Sequence, residues 1–447
     1  MPLTRPARPL AWLTLVVVLA LGFVAGTLMP GALSRATSTA TAAPAAGRTL
    51  APVDPSSAGF ATERLARLSS RMRDLVADGR LAGVVTLVAR HGRVVSFDAH
   101  GRKDIRKPDA MEKDAIFRIY SMSKPITGVA MMMLYEEGLW RMDDPVSKFI
   151  PEFRGLQVHG GEAAKGSPTL EAPRHQMTMR ELMTHSAGLG YGLSEAHPVD
   201  RQFRQLEILT PTIPLHEMMG RIAKVPLLAQ PGTRWSYSIA VDVQGYLVEK
   251  LSGRPFDVFL KERIFDPLGM KDTGFYVPAE KLSRLAQVHE ETASGTIEAA
   301  RQQQLVLMPD PTTPPVGPSG GGGLYSTAED YLRFCQMLLD GGTFGGARLL
   351  APRTVEMMRT NHLSDEALAT YRPGQGFGLD FSVVMDAGKA AVSTPNGSYY
   401  WSGAAGTWFW IDPAMDLAFV GMIQHRGPAV GDAQVLSRNL TYQAIVD

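Results

Sequence analysis

Ser121 and Lys124 stand three residues apart in the stretch IFRIYSMSKPITGVAMMMLYEEG, residues 116–138, and Pro125 follows the lysine at once. Proline lacks an N–H and is tolerated only in the first turn of a helix. It therefore predicts a helix beginning close to Lys124, with Val129 to Tyr135 as the apolar body and Ser121 at or just before the start. A serine there gains three advantages. The unpaired N–H groups of the first turn can bind a developing oxyanion, and the helix dipole favours negative charge on the serine oxygen. Residues three apart also share a face, which brings the Lys124 amine to the Ser121 hydroxyl. A desolvated lysine can then help to deprotonate the serine, the chemistry of a nucleophile with its base. The alternative is an N-capping serine beside a solvated lysine, and the pair alone does not decide. Ser123 is the poorer candidate, because nothing basic lies three residues beyond it.

Two further constellations favour catalysis. Trp235-Ser-Tyr237-Ser-Ile239-Ala240 follows the turn Gln230-Pro-Gly-Thr233 and precedes an amphipathic helical pattern to Leu251. A tyrosine at such a junction can act as general base or proton relay when a cation lies beside it. Trp401-Ser402-Gly403-Ala404-Ala-Gly-Thr407 leads into the strand-like Trp408-Phe-Trp-Ile411. Small residues at a strand edge let backbone N–H groups approach a substrate. Gly317-Pro-Ser319-Gly-Gly321 spells a nucleophile elbow but follows the loop Pro309–Pro318 instead of a strand. His289-Glu290-Glu291 lacks the second histidine of a zinc helix. His185 reads as a loop-fixing hydrogen bonder, and His425, after the apolar run Leu417–Ile423, as a substrate-side residue.

The elements that must position these residues follow a simple order. Phe60 to Ala77 has helical periodicity, with Leu65, Leu68, Met72 and Leu75 on one stripe. Gly83–Ala89 and Val94–Phe97, joined at His91-Gly92, read as two strands. From Lys124 to Pro318 helical segments alternate with Pro-rich loops, and Met131 to Met133 read as core. After Ser319-Gly-Gly-Gly-Gly-Leu324 a helix is followed by strand-like pieces at Gly378–Val384, Thr407–Ile411 and Leu417–Ile423. The expected fold is α/β: an antiparallel sheet built from about residues 59–118 and 319–447 and flanked by helices, with a mainly helical subdomain, about 119–318, inserted between its parts.

The chain has 447 residues, 45% hydrophobic and 20% charged, enough for a large core in more than one lobe. A formal net charge of +1 gives no sign of a nucleic-acid binder. One cysteine, Cys335, excludes an internal disulfide and sits in an apolar helical pattern. Arg5 and Arg8 precede the apolar run Leu10–Met29 and a small-residue tract, Ser38–Gly47, containing Ala40-x-Ala42. Residues 1–42 read as an export signal, with a membrane tether as the alternative, since a run of ~20 apolar residues can span a bilayer. Residues 43–58 read as a linker, and the remaining 59–447 as one domain working outside the cytoplasm.

Taken together, the residues resemble the serine β-lactamase-related family: class C β-lactamases, D-alanyl-D-alanine carboxypeptidases and the esterases on the same scaffold. The resemblance runs from about Phe60 to the C-terminus. Besides Ser121-x-x-Lys124 it includes Phe117-Arg-Ile, Met177-Thr-Met-Arg-Glu-Leu-Met-Thr-His-Ser-Ala-Gly-Leu189, Tyr237-Ser-Ile, Ser319-Gly-Gly-Gly-Gly-Leu-Tyr-Ser-Thr-Ala-Glu-Asp330 and Gly378-Leu-Asp-Phe381. It implies a β-lactamase/transpeptidase-like fold and acylation of Ser121, with Lys124 and Tyr237 sharing the base role. The N–H groups of Ser121 and Ala404 would bind the oxyanion, and no metal or organic cofactor would be needed. Two departures bear on the substrate. The family's Tyr-x-Asn stands here as Tyr237-Ser238-Ile239, and its Lys-Thr-Gly as Trp401-Ser402-Gly403. Each lost polar or charged contact should cost a β-lactam about 1.5–3 kcal/mol. An indole and an isoleucine suit a neutral, apolar acyl group. Carboxylester hydrolysis of a small molecule is therefore the expectation. The alternatives are β-lactam or peptide amide hydrolysis, acyl transfer, and a binding protein without turnover.

Overall fold

The computed structural model describes residues 50–162, 168–301 and 310–447. The N-terminal apolar run and its small-residue tract lie outside the described residues. The principal sheet has seven strands: β1 (Gly83–Arg90), β2 (Arg93–Gly101), β3 (Gln375–Phe377), β4 (Ser382–Val384), β5 (Tyr399–Ser402), β6 (Trp408–Asp412) and β7 (Leu417–Met422). Their spatial order is β3-β4-β5-β6-β7-β1-β2, antiparallel throughout. The N-terminal hairpin thus completes a sheet begun by the C-terminal strands, as the order of patterns implies.

Alternation along the strands creates two cores. On one face Val84, Val88, Trp408, Trp410 and Phe419 pack beneath α1 (Thr62–Ala77) and the C-terminal helix Ala429–Tyr442. Trp410 and Phe419 are cross-strand partners, their rings stacked at 4.0 Å. On the other face Val85, Leu87, Phe409, Ile411 and Val420 meet α2 (Ser123–Glu136) and the helix Ala328–Leu339. Every residue of β1 is buried, because helices cover both sides. Cys335 and Met131 to Met133 are all core, as their patterns suggest.

Two segments differ from the sequence reading. Gly378–Val384 is not one strand: β3 ends at Phe377, and residues 378–381 make a tight turn into β4. The Gly378 N–H bonds the Phe381 carbonyl and Asp380 takes φ 65°. Apolar residues flank the turn because it is buried, so hydropathy alone concealed it. Residues 51–58, within the stretch read as linker, are docked on the domain. Val53 and Ala51 bond Val94 along the open edge of β2, and Pro55–Ala58 form a 3₁₀ turn. The edge of β2 is thereby partly covered.

Replacing Trp410 by Ala should remove the stacked pair and leave a cavity beneath the C-terminal helix. Chemical denaturation should show a loss of about 3–5 kcal/mol. A loss below about 1 kcal/mol would show that this face is not the tightly packed layer described.

Candidate active site

The buried helix α2 begins at Ser123, preceded by a 3₁₀ turn, Tyr120–Met122, that carries Ser121. Tyr120 adopts φ 43°, a costly conformation for an aromatic residue, directly before the serine. Its neighbours over-determine the bend. Ile119 N–H bonds the Leu324 carbonyl, Ser123 Oγ accepts from Leu324 N–H, and the Tyr331 hydroxyl donates to the Met122 carbonyl. Ser123 is consequently structural, as its surroundings in the sequence suggest.

Ser121 Oγ lies 2.5 Å from Tyr237 Oη and 3.3 Å from Lys124 Nζ. The three residues expected to act together are therefore in contact. Lys124 is buried, and Nζ also reaches Tyr191 Oη at 3.3 Å and the Gly321 carbonyl at 2.6 Å. It lies 4.5 Å from the centroid of the Tyr237 ring. Burial alone would lower its basicity, but Tyr191, Tyr237 and the Asp242 carboxylate more than offset this and raise it above an ordinary lysine. The expectation of a lysine freed as a base by desolvation is corrected here: Lys124 rests as an ammonium.

The loops bearing the tyrosines are tied together. Ser236 and Ile239 donate N–H groups to the His185 and Gly190 carbonyls. Asp200 accepts from the N–H groups of Tyr191, Gly192 and Ser194, folding that loop around its carboxylate. His185 Nδ1 accepts from Ser238 N–H and lies 3.0 Å from Ser238 Oγ, which assigns the proton to Nε2. Its ring sits against Tyr237, Trp235 and Phe377. Burial, with Lys124 nearby, keeps it well below the usual imidazole range and neutral. It fixes the loop.

The third segment follows β5. Gly403 N–H is engaged with the Thr407 carbonyl, whereas Ala404 N–H has no acceptor among the described residues. A Cβ at Gly403 would sit 2.3 Å from both the Ile119 carbonyl and Thr407 Oγ1, so only glycine lets this loop press against the Ser121 turn. Ala404 lines the cavity above the serine; Ser402, half-buried at the end of β5, does not. Trp401 packs on Tyr237 and Phe377 and supports the site from behind. Two further sequence expectations are corrected. Ile239 is wholly buried in the core beneath the start of the helix Ala240–Ser252 and is absent from the cavity wall. His425 is buried also, its basicity lowered to about 4 by burial and then by His289, and it points toward Glu291. The next residue, Arg426, reaches the cavity instead.

The cavity holds about 690 Å³ and is walled by Leu193, Phe203, Ile208, Leu209 and Pro211 as well as the tyrosines. Arg426 is paired with Glu290 at 2.9 Å and meets Tyr120 Oη at 3.4 Å. Among the described residues no group of His, Cys, Asp or Glu converges on a metal site. Tyr191, Asp242 and the 203–212 wall were missed in the sequence. Tyr191 stands just past the His185–Leu189 motif, and Asp242 falls in the first turn of its helix, where acids are favoured whatever their role.

This arrangement can do acyl chemistry: a hydroxyl nucleophile, an oxygen to take its proton, a cation beside that oxygen, and an N–H beyond it. The beta-lactamase family model matches residues 68–441. Protein Rv1367c of Mycobacterium tuberculosis is 37% identical, over 79% of this chain and 88% of its own. Esterase EstB of Burkholderia gladioli is 30% identical, over 83% of this chain and 93% of its own. The solved structure of EstCE1, a hydrolase with promiscuous acyltransferase activity, superposes with TM-score 0.71 at 28% identity, covering 85% of this chain and 99% of that one. The chain belongs to the beta-lactamase family of serine hydrolases, and its fold is the β-lactamase/transpeptidase-like one.

One buried group gives a direct test of the site's electrostatics. Asp380, at the turn before β4, receives one bond, from Gln244 Nε2 at 3.2 Å, and its Oδ2 has no partner. Burial drives its carboxyl well above the usual range. A folded-state value above the unfolded one means the folded state binds more protons, so stability falls as pH rises past about 4. Asp380→Asn removes that loss, and asparagine tolerates the positive φ. Thermal unfolding should show a small gap to the parent near pH 5 that widens in the variant's favour toward pH 8. An equal gap at both would refute the buried neutral acid.

Proposed function

We propose that the protein is a carboxylesterase that works through an acyl-enzyme on Ser121. The observation that carries this reading is the Tyr237–Ser121–Lys124 contact at the floor of an apolar cavity. The similarity to Esterase EstB supports it. As Ser121 attacks, its proton passes to the Tyr237 oxygen, beside which the Lys124 ammonium holds a positive charge. Ser121 Oγ bonds to the ester carbonyl carbon, and the oxyanion is held by the Ser121 and Ala404 N–H groups. The carbonyl re-forms as the alkoxide leaves, taking the proton from Tyr237. Water then repeats the sequence, losing its proton to Tyr237 and releasing the acid from Ser121.

The site favours a neutral acyl group over a β-lactam. Trp401 stands where the family's lysine would, and it is packed into the aromatic cluster. Both arginines at the cavity are already engaged, Arg204 with the Gly192 and Ser194 carbonyls and Arg426 with the Glu290 carboxylate. Ile239 offers no amide and does not reach the ligand space. With purified protein, p-nitrophenyl butyrate should be turned over with kcat/KM at least about 10-fold above nitrocefin, the value of one lost charge-assisted contact. Ser121→Ala should reduce both to the buffer rate. Faster nitrocefin hydrolysis would make the enzyme a β-lactamase, and ester turnover surviving in Ser121→Ala would move the nucleophile elsewhere.

We also propose that the enzyme acts outside the cytoplasm, in the periplasm or beyond it, delivered by residues 1–42. The basic start, apolar run and Ala40-x-Ala42 tract support this reading. Fractionation of expressing cells with mass spectrometry of the N-terminus should find a chain cut within residues 38–47. A full-length chain in the membrane fraction would make the segment a tether, and a full-length cytosolic chain would contradict export.

A further inference from the structure

We propose that Asp242 is a positioning residue for Lys124, acting through Gly321 to set both where the ammonium sits and the pH range over which it stays charged. The proposal rests on the serine-hydrolase reading above. Asp242 lies in the first turn of the helix Ala240–Ser252, five residues beyond Tyr237, and is completely buried. Its Oδ1 accepts from Ser319 Oγ at 2.5 Å and from Gly321 N–H at 3.2 Å. The carbonyl of the same glycine accepts from Lys124 Nζ at 2.6 Å. Gly321 thus joins the two charges, holding the carboxylate by its N–H and the ammonium by its C=O.

The fit leaves no room for another residue between them. A Cβ on Gly321 would lie 2.5 Å from Asp242 Oδ2 and 3.1 Å from Tyr191 Oη. Thr127, one turn along α2 from Lys124, clamps the preceding residue by donating to the Gly320 carbonyl at 2.9 Å. Asp242 Oδ2 itself has no hydrogen-bond partner among the described residues. A buried carboxylate with one oxygen unpaired is expensive unless an opposite charge offsets it. Lys124, across Gly321, is that charge.

Of the other acids and bases facing Lys124, two carry no charge to offset it. Asp380 is held as the neutral acid and His185 as the neutral imidazole, both by burial. Tyr191 is held toward its phenol by burial, against the pull of Lys124. Tyr237 meets Ser121 with its hydroxyl and offers Lys124 the face of its ring. Burial raises Asp242 too, but Lys124, the Ser319 hydroxyl and the Gly321 N–H all act to keep it ionised. A serine rejected as a nucleophile thereby acquires a purpose: Ser319 holds the charge that holds Lys124.

Asp242→Asn and Ser319→Ala separate charge from shape. Asn keeps the side-chain outline and the acceptor oxygen but removes the charge. With p-nitrophenyl butyrate, kcat should fall about 10- to 100-fold while KM stays within about 2-fold. The basic limb of kcat against pH should move to lower pH, because an ammonium without its counter-charge loses its proton sooner. Ser319→Ala keeps the charge but removes its donor. The acidic limb should then move to higher pH while the basic limb stays in place. A folded Asp242→Asn with parental kcat and basic limb overturns the proposal. Should that variant fail to fold by circular dichroism, Ser319→Ala decides alone: an unmoved acidic limb overturns it. A parent with no ester turnover defeats the hydrolase reading and this proposal with it, whereas an active parent with unmoved variants defeats this proposal only.

Discussion

A lysine ammonium inside a protein core must find an acceptor for every N–H and an offset for its charge, or it will not stay there. Lys124 meets that demand with Ser121 Oγ, Tyr191 Oη and the Gly321 carbonyl, which together use its three donors. The acceptors come from the turn before α2, from the loop folded around Asp200, and from the glycine run before the helix Ala328–Leu339. Satisfying one side chain therefore fixes three distant segments against each other. The same geometry places the cation against the ring of Tyr237, whose hydroxyl meets the nucleophile. Structure and chemistry depend here on one buried charge.

Around that charge, burial sorts the remaining titratable groups by how well each is paired. Asp380, with a single donor, is driven well toward its neutral form, while for Asp242 burial also raises the carboxyl but two donors and Lys124 across a glycine oppose it. His185 is held neutral by burial, with Lys124 nearby, and braces the Tyr237 loop. The arginines of the cavity wall are engaged elsewhere: Arg204 donates to the Gly192 and Ser194 carbonyls, and Arg426 is paired with Glu290. The result is a polar floor beneath apolar walls, the combination expected for a neutral ester.

Much of this was legible in the sequence, where the signal was local. Pro125 fixed the start of α2, so Ser121 could be placed without knowing the fold. The strand patterns at Gly83–Ala89 and Leu417–Ile423 were continuous because both faces of those strands are covered. Legibility failed where position depended on tertiary direction. Ile239 occupies the family's asparagine position, yet the helix starting at Ala240 turns it into the core. His425 and Arg426 are neighbours on one short strand, and alternation sends one inward and the other to the cavity. Asp242 could not be told from a helix-capping acid, because its partners Ser319 and Gly321 come from a loop far along the chain. The turn at 378–381 escaped notice because a buried hairpin turn carries apolar neighbours instead of the polar residues of an exposed one.

Every step of this chemistry requires that Ser121 take the acyl group. Incubation with a fluorophosphonate probe, followed by digestion and mass spectrometry, tests this directly. One adduct per chain is expected on the peptide containing Ser121, with Ser123 unmodified. An adduct on Ser319 or Ser123, or an active enzyme that takes up no probe, would contradict it.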